Sequence, residues 1–314
     1  MEASGAREIR RVDSDAVLQC WNLAAAVSPT TSPRVTTLQT GSGCFYLKTS
    51  ESAESAERHL DLLEYLAGAG LPVPRYIATV ADQRYAVDAG TAYWLSRKLP
   101  GDHFHQFRGP TGRKQVERLA TNLGELHGAL SRAPNSQRFP VFGDSAQQLL
   151  EMLLARESPF DVARLQRLRA KVASVAELPK QLIHRDFHRG NVLFTGEALS
   201  GLLDFDLVQQ GPRLFDVCYC ASGVLSESFG EAGYVEYWLT ILEAIFRAYG
   251  RVAGQATDKP SLAWSMLITI QLMFLKSCLE SQALDAALMN QGMLFWYEDH
   301  RSEIEAAVSA RLSV

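Results

Sequence analysis

Two hydrophobic periods divide the chain. Up to about residue 99 apolar and polar positions mostly alternate, the period of half-buried strands. Val35–Gln39 and Cys44–Thr49 alternate on either side of Thr40-Gly41-Ser42-Gly43, a hairpin signal. A helix over Ser52–Ala67, with Leu60, Leu63 and Leu66 on its core face, interrupts them. Gly70-Leu71-Pro72-Val73-Pro74 closes that helix and opens a strand pair through about Val87, and Tyr93–Leu99 is a last strand before Pro100-Gly101. Upstream, Asp13 or Ser14 caps an expected helix through Ala26, carrying Val17, Trp21 and Ala24 on one face, which Ser28–Pro33 breaks. Beyond residue 100 the period becomes helical. Gln115–Ser131 places Val116, Leu119, Leu123, Leu126, His127 and Leu130 on one stripe. Residues 145–177, Val235–Tyr249, Leu262–Glu280 and Gln291–Ala310 continue the pattern. The pattern predicts an α+β chain: a small mixed α/β N-terminal lobe over 1–99 and a larger, mostly helical lobe over 100–314.

Gln181–Asp206 departs from the helical period. An apolar Leu182-Ile183 lead runs into His184-Arg185-Asp186, Val192–Phe194 is a short strand, Thr195-Gly196-Glu197 a turn, and Leu199–Phe205 a second strand ending beside Asp206. Two carboxylates, Asp186 and Asp204, and the carboxamide of Asn191 therefore gather at the open ends of one hairpin. Phosphoryl transfer needs that set: one carboxylate to hold the acceptor hydroxyl, and an Asn with an Asp to grip Mg²⁺. A hairpin whose polar tip merely caps itself is the plainer alternative. The offset of five residues from Asp186 to Asn191, and the strand-terminal Asp204, favour the chemical reading.

Composition narrows the class. The 314 residues are 47% apolar and 21% charged, an ordinary globular balance with room for two lobes. A net charge of −4 argues against a general nucleic-acid binder. From Ala221 onward six Lys/Arg face eleven Asp/Glu, and such a field favours a cationic ligand. Five cysteines, an odd number with no C-x-x-C, indicate buried thiols of a cytoplasmic protein, neither a disulfide framework nor a zinc ribbon. No segment looks like a secretory leader. The most apolar run, Leu262–Leu275, is too short and too polar to span a bilayer, so no membrane partner is expected. Asp102-His103-Phe104-His105 alternates two histidines but has no further ligand spaced nearby, so they read as loop histidines.

His184-Arg185-Asp186 with Asn191 resembles the catalytic loop of protein kinases, and Asp204-Phe205 the start of their metal-binding motif. The spelling His184-x-Asp186-x-His188-x-Gly190-Asn191 resembles more particularly the aminoglycoside phosphotransferase and choline kinase-like family of small-molecule kinases. Gly211-Pro212-Arg213-Leu214-Phe215-Asp216, the Leu-Pro-Val-Pro run and the Leu126-His127 pair also look like that family. The resemblance is thin over most of the chain and sharp from Leu182 to Asp216. It implies a two-lobed protein kinase-like fold, ATP and Mg²⁺ as cofactors, and a small-molecule hydroxyl as acceptor: an aminoglycoside, amino alcohol, homoserine or sugar. Only twelve residues separate Asp204 from Asp216, too few for a phosphorylation-controlled activation loop.

Residue by residue, the resemblance implies Asp186 as the base that orients the acceptor, and Asn191 and Asp204 as metal ligands. Lys48 stands where the phosphate-binding lysine belongs. Glu54 or Glu57 could hold it extended, with Glu57 preferred. Ser96–Leu99 stands at the hinge whose backbone would meet adenine. His127 is expected as a hydrogen-bonded core histidine. Gly41 and Gly43 lie too close to Lys48 to be a phosphate-covering glycine loop, and Ser28–Ser32 takes that place. That departure, with the unsettled lysine–glutamate pair, keeps a nucleotide-binding module without turnover as the alternative.

Overall fold

The computed structural model describes residues 14–29, 34–104, 107–143, 145–155, 162–253 and 259–309. It divides into two compact units, Met1–Gly101 with Ser200–Leu203, and Asp102–Leu199 with Asp204–Val314.

The first unit is built on an antiparallel sheet. After helix α1 (Ser14–Gln19) come β1 (Ala26–Pro29), β2 (Val35–Thr40), β3 (Gly43–Ser50), helix α2 (Ala53–Gly68), β4 (Tyr76–Ile77), β5 (Ala86–Asp88) and β6 (Thr91–Arg97). The strand order is β1-β2-β3-β6-β4, with β5 also on β6. The alternation sorts the faces. Leu38, Phe45, Leu47, Tyr93 and Leu95 pack with Val17, Leu18 and Trp21 in one buried cluster. Lys48, opposite Trp94 in the β3–β6 register, belongs to the other face. Ser52 caps α2 by accepting from the Ser55 amide at 3.1 Å. The expected helix through Ala26 is shorter. It stops at Gln19, Asn22 takes a left-handed turn (φ 50°), and Ala26–Pro29 pairs with β2 instead. Ladder bonds to a waiting strand outweigh the helix propensity of three alanines.

The second unit is mostly helical, with short two-stranded sheets among its helices. The elements after residue 102 are α3 (Gly109–Leu130), α4 (Ser145–Ala155), α5 (Val162–Ala176), β7 (Gln181–Ile183), β8 (Val192–Thr195), β9 (Ala198–Leu202, whose residues from Ser200 on are counted with the first unit), β10 (Gln209–Gly211), α6 (Arg213–Ser226), α7 (Tyr234–Ala253), α8 (Ala263–Glu280), α9 (Leu284–Asp299) and α10 (Arg301–Ser309). β7 pairs with β10, and β8 with β9. Helix α8 is apolar nearly all round because α4, α5, α6 and α9 all pack on it. The single helix expected over Gln291–Ala310 is two, α9 and α10, broken at His300. Among the described residues no helix is long and apolar enough to cross a membrane. The five cysteines are free; Cys218 and Cys220 are buried, whereas Cys20, Cys44 and Cys278 are only half-buried.

Candidate active site

The loop His184–Asn191 leaves β7 and is pinned from α6. Asp216, fully buried, accepts the His184 amide at 2.7 Å, the Arg185 amide at 2.8 Å and His127 Nε2 at 3.0 Å. Behind it Tyr249 Oη meets His127 Nδ1 at 2.9 Å, so His127 is a core histidine as expected. Arg185 is held at φ 72° and Asp204 at φ 57°, conformations that cost a non-glycine residue energy and gather at functional sites. The Arg185 guanidinium bonds Gln209 at 2.8 Å and lies over the rings of Phe142 and Phe215. Burial pulls its pKa down, against the raising effect of Asp216, Tyr219 and Asp186.

His188 caps the short 3-10 turn Arg189–Asn191 by accepting the Gly190 amide on Nδ1 at 3.1 Å. Nε2 therefore carries the proton. A Cβ on Gly190 would lie 2.7 Å from that ring, so glycine is needed there to let the histidine fold back.

Asp186 is the hub. Its Oδ1 accepts Tyr219 Oη at 2.5 Å and stands 3.6 Å from His188 Nε2; its Oδ2 accepts Asn191 Nδ2 at 2.9 Å. Burial alone raises its pKa, but His188 and Tyr219, with the nearby charge of His184, outweigh it and hold the carboxyl below its usual range. At 3.6 Å the His188 contact is too long for a good hydrogen bond, so Tyr219 is the stronger of the two stabilisers. Burial and the adjacent carboxylate push the Tyr219 hydroxyl far above its ordinary value, so it acts as a donor.

Asn191 spends its amide nitrogen on Asp186, on the backbone oxygen and Oδ2, both at 2.9 Å. Among the described residues its Oδ1 has no hydrogen-bond partner, although the residue is buried. An amide oxygen and the carboxylate of Asp204 are the hard donors that suit Mg²⁺. Among the described residues no cluster of three or more His, Cys, Asp or Glu could hold a metal. The ring of Phe205, next to Asp204, packs 4.8 Å from that of His184, so the two motif segments are in contact.

In the first unit, Lys48 Nζ lies 5.6 Å from the centroid of Trp94, whose ring is also 5.4 Å from that of His59 of α2. Glu57, the expected partner of Lys48, instead accepts the Tyr85 hydroxyl at 3.0 Å. Among the described residues Lys48 and Glu57 form no ion pair. The register also divides the expected hinge. Lys98 donates to Cys44 at 3.0 Å, so every second residue of that strand faces β3, and the backbone of Ser96 is spent on Tyr46. Ser96 is therefore not available to a base. Among the described residues the Leu99 amide and carbonyl make no hydrogen bond, and Leu99 lines a cavity of about 500 Å³ with Leu71, Val73, Ile77 and Arg97. Of Ser28–Ser32, Ser28 and Pro29 lie in β1 and the remainder falls outside the described residues, between β1 and β2.

The model of the phosphotransferase enzyme family APH matches residues 24–263. The chain belongs to that family. It is 27% identical over 175 residues, 54% of either protein, to a homoserine kinase of Pseudomonas aeruginosa strain LESB58. It is 25% identical over 241 residues to a homoserine kinase of Methylobacillus glycogenes, covering 74% of this chain and 71% of that one. The chain thus spans about half the length of the first of these relatives. Similar solved structures include amicoumacin kinase hAmiN in complex with AMP-PNP, Ca²⁺ and Ami (TM-score 0.68, 16% identity, 94% of this chain and 93% of that one). Another is the microcompartment-associated aminopropanol kinase (TM-score 0.65, 16% identity, 92% and 97%). The fold is that of protein-kinase-like phosphotransferases, with a small antiparallel-sheet lobe and a larger helical part.

Within this family member, sequence reasoning missed the parts that reach the loop from other elements. His103 Nδ1 meets the Val192 carbonyl at 3.3 Å, a loop role as expected, while His105 lies outside the described residues. Arg189 bonds Glu227, the residue just after α6, and the Phe104 carbonyl. Tyr219 had no sequence signal beyond its place one helical turn after Asp216.

Proposed function

We propose that this chain is an ATP- and Mg²⁺-dependent phosphotransferase acting on a hydroxyl of a small molecule. The observation that carries the reading is the half-buried Asp186, kept ionised chiefly by His188 and Tyr219 and oriented by Asn191 and Tyr219, with a lone pair of Oδ2 open among the described residues. In this reading the acceptor hydroxyl donates to Asp186. As the acceptor oxygen bonds to the γ-phosphorus and the bond to the β,γ-bridging oxygen breaks, the hydroxyl proton passes to Asp186. The products are a phosphomonoester and the nucleoside diphosphate. Asn191 Oδ1 and Asp204 would hold Mg²⁺, which supplies positive charge to the phosphates. Lys48 offers a second cation for the phosphates, and the Leu99 amide and carbonyl a contact for the base. Positioning and electrostatics account for most catalysis of this type.

The acceptor class is an amine-bearing alcohol. Relatives named homoserine kinase, and a fold neighbour named aminopropanol kinase, support it, as does the acidic balance after Ala221. The test is a phosphotransfer screen with MgATP over aminoglycosides, amino alcohols, homoserine and sugars, read by product mass. Phosphorylation of an amine-bearing alcohol is expected; activity confined to proteins or acidic acceptors overturns it. Glu57 bonded to Tyr85 rather than Lys48 favours a second reading, a nucleotide-binding module without turnover. Stabilisation by MgATP with no product from any acceptor would select that one.

A further inference from the structure

Helix α6 grips the catalytic loop at two points one turn apart. Asp216 takes the backbone amides of His184 and Arg185, and Tyr219, three residues on and on the same face, takes the side chain of Asp186. We infer that Tyr219 is a positioning residue for Asp186: its hydroxyl occupies Oδ1 and thereby turns Oδ2 toward the acceptor. The inference rests on the phosphotransferase reading above.

Counting lone pairs on the carboxylate supports it. Oδ1 is filled by the Tyr219 hydroxyl at 2.5 Å and approached by His188 Nε2 at 3.6 Å. Among the described residues Oδ2 accepts only Asn191 Nδ2, at 2.9 Å, so its second lone pair is the one left for an acceptor hydroxyl. Asn191 alone cannot set that orientation, because a carboxylate can rotate about its Cβ–Cγ bond while keeping one such contact. Two donors on opposite oxygens, one from the loop and one from α6, lock it. Tyr219 is itself immobilised. Its ring lies 5.7 Å from both Phe215 of its own helix and Phe274 of α8, and 6.5 Å from His188. A rigid aromatic arm on a buried helix is a better gauge of position than a flexible side chain. The charged and titratable groups around the pair are His184, Arg185 and His188 from the loop and Asp216 from α6; the neighbour from α8, Phe274, is apolar.

The same hydrogen bond has an opposite interpretation, in which the tyrosine hydroxyl sits where the acceptor belongs and blocks it. The two differ in sign. Tyr219→Phe keeps the ring and its stacking and removes only the hydroxyl. Positioning predicts a fall in kcat of roughly ten- to hundredfold, the loss of a hydrogen bond to a charged group. It also predicts unchanged KM for MgATP and an unchanged melting temperature.

The decisive measurement is a double-mutant cycle on the full-length chain, with MgATP and whichever amine-bearing alcohol the wild type phosphorylates. Tyr219→Phe should cost its full factor when Asp186 is present and less than about twofold in the Asp186→Asn background. A merely structural tyrosine would lower activity and melting temperature alike in both backgrounds. Equal effects in the two backgrounds, an unchanged kcat, or a raised kcat in Tyr219→Phe would each overturn the inference. A wild type that phosphorylates nothing would instead sink the phosphotransferase reading, so the two failures are distinct. If Tyr219→Phe folds poorly, Phe274→Leu serves as the second variant. It loosens the ring while sparing the hydroxyl, and should lower kcat several-fold through the same Asp186-dependent route; an effect that persists in Asp186→Asn counts against positioning.

Discussion

Replacing Asp216 by Asn tests what holds the catalytic loop. The carboxylate is 0% exposed and accepts three N–H groups, two on Oδ2 and one on Oδ1. A carboxamide has a single acceptor oxygen. At best it keeps His184 N and His127 Nε2 and turns its own NH₂ toward the Arg185 amide. One buried N–H then faces a donor with no water to replace the bond, at a cost of about 1–3 kcal/mol. The two surviving bonds lose their charge assistance, roughly another 1 kcal/mol. A total of about 2–4 kcal/mol is a large share of the stability of a typical domain. At roughly 2 °C per kcal/mol for a chain of this size, the melting temperature should fall by about 4–8 °C. The consequence is local as well. Arg185 at φ 72° is held there by the bond that is lost, so the backbone next to Asp186 relaxes and turnover falls with it. Thermal melting, amide exchange at residues 184 and 185, and turnover should be read on one sample. A melting temperature within about 1 °C of wild type, with both amides still protected, would show that Asp216 does not anchor the loop.

Asp204→Asn should abolish metal-dependent nucleotide binding while the fold stays intact; unchanged MgATP affinity by calorimetry would remove Asp204 as a ligand. Lys48→Ala should lower turnover far more than stability, because a half-buried strand lysine carries little packing; a variant that melts much lower yet keeps full turnover would make Lys48 structural. Gly190→Ala places a Cβ 2.7 Å from the His188 ring and should push the ring off its cap, lowering turnover several-fold with a small change in melting; wild-type activity would show that the loop tolerates the displaced ring. Burial pushes the Cys220 thiol up from 9.0 to about 12. The unfolded chain therefore releases this proton first. The contribution is fully present below about pH 9 and is lost between about pH 9 and 12, at up to ~1.4 kcal/mol per pH unit. Cys220→Ala should flatten that alkaline loss in denaturant titrations at rising pH, and an equally steep loss in the variant would refute the assignment.

The sequence by itself determined whatever rests on short chemical separations. Asp186 and Asn191 are five residues apart in one loop, and their 2.9 Å contact follows from that loop's own turn. The glycine at 190, the start of α2 near Ser52 and the period of β2 and β3 are local in the same sense, and each was legible as spelling or alternation. Tertiary structure decided the rest, because it depends on which face meets which neighbour. Ser96 and Leu99 looked equivalent along the chain; pairing with β3, some fifty residues away, spent the backbone of the one and not the other. Glu57 lies on the expected helix, but the rotation of α2 against the sheet gave its carboxylate to Tyr85. The chain Tyr249–His127–Asp216 joins three helices, and Tyr219, on the same helix as Asp216, reaches Asp186 from thirty-three residues on. No periodicity encodes such contacts. They exist only once the helices have packed and the loop has closed against them, which is where the carboxylate acquires its orientation.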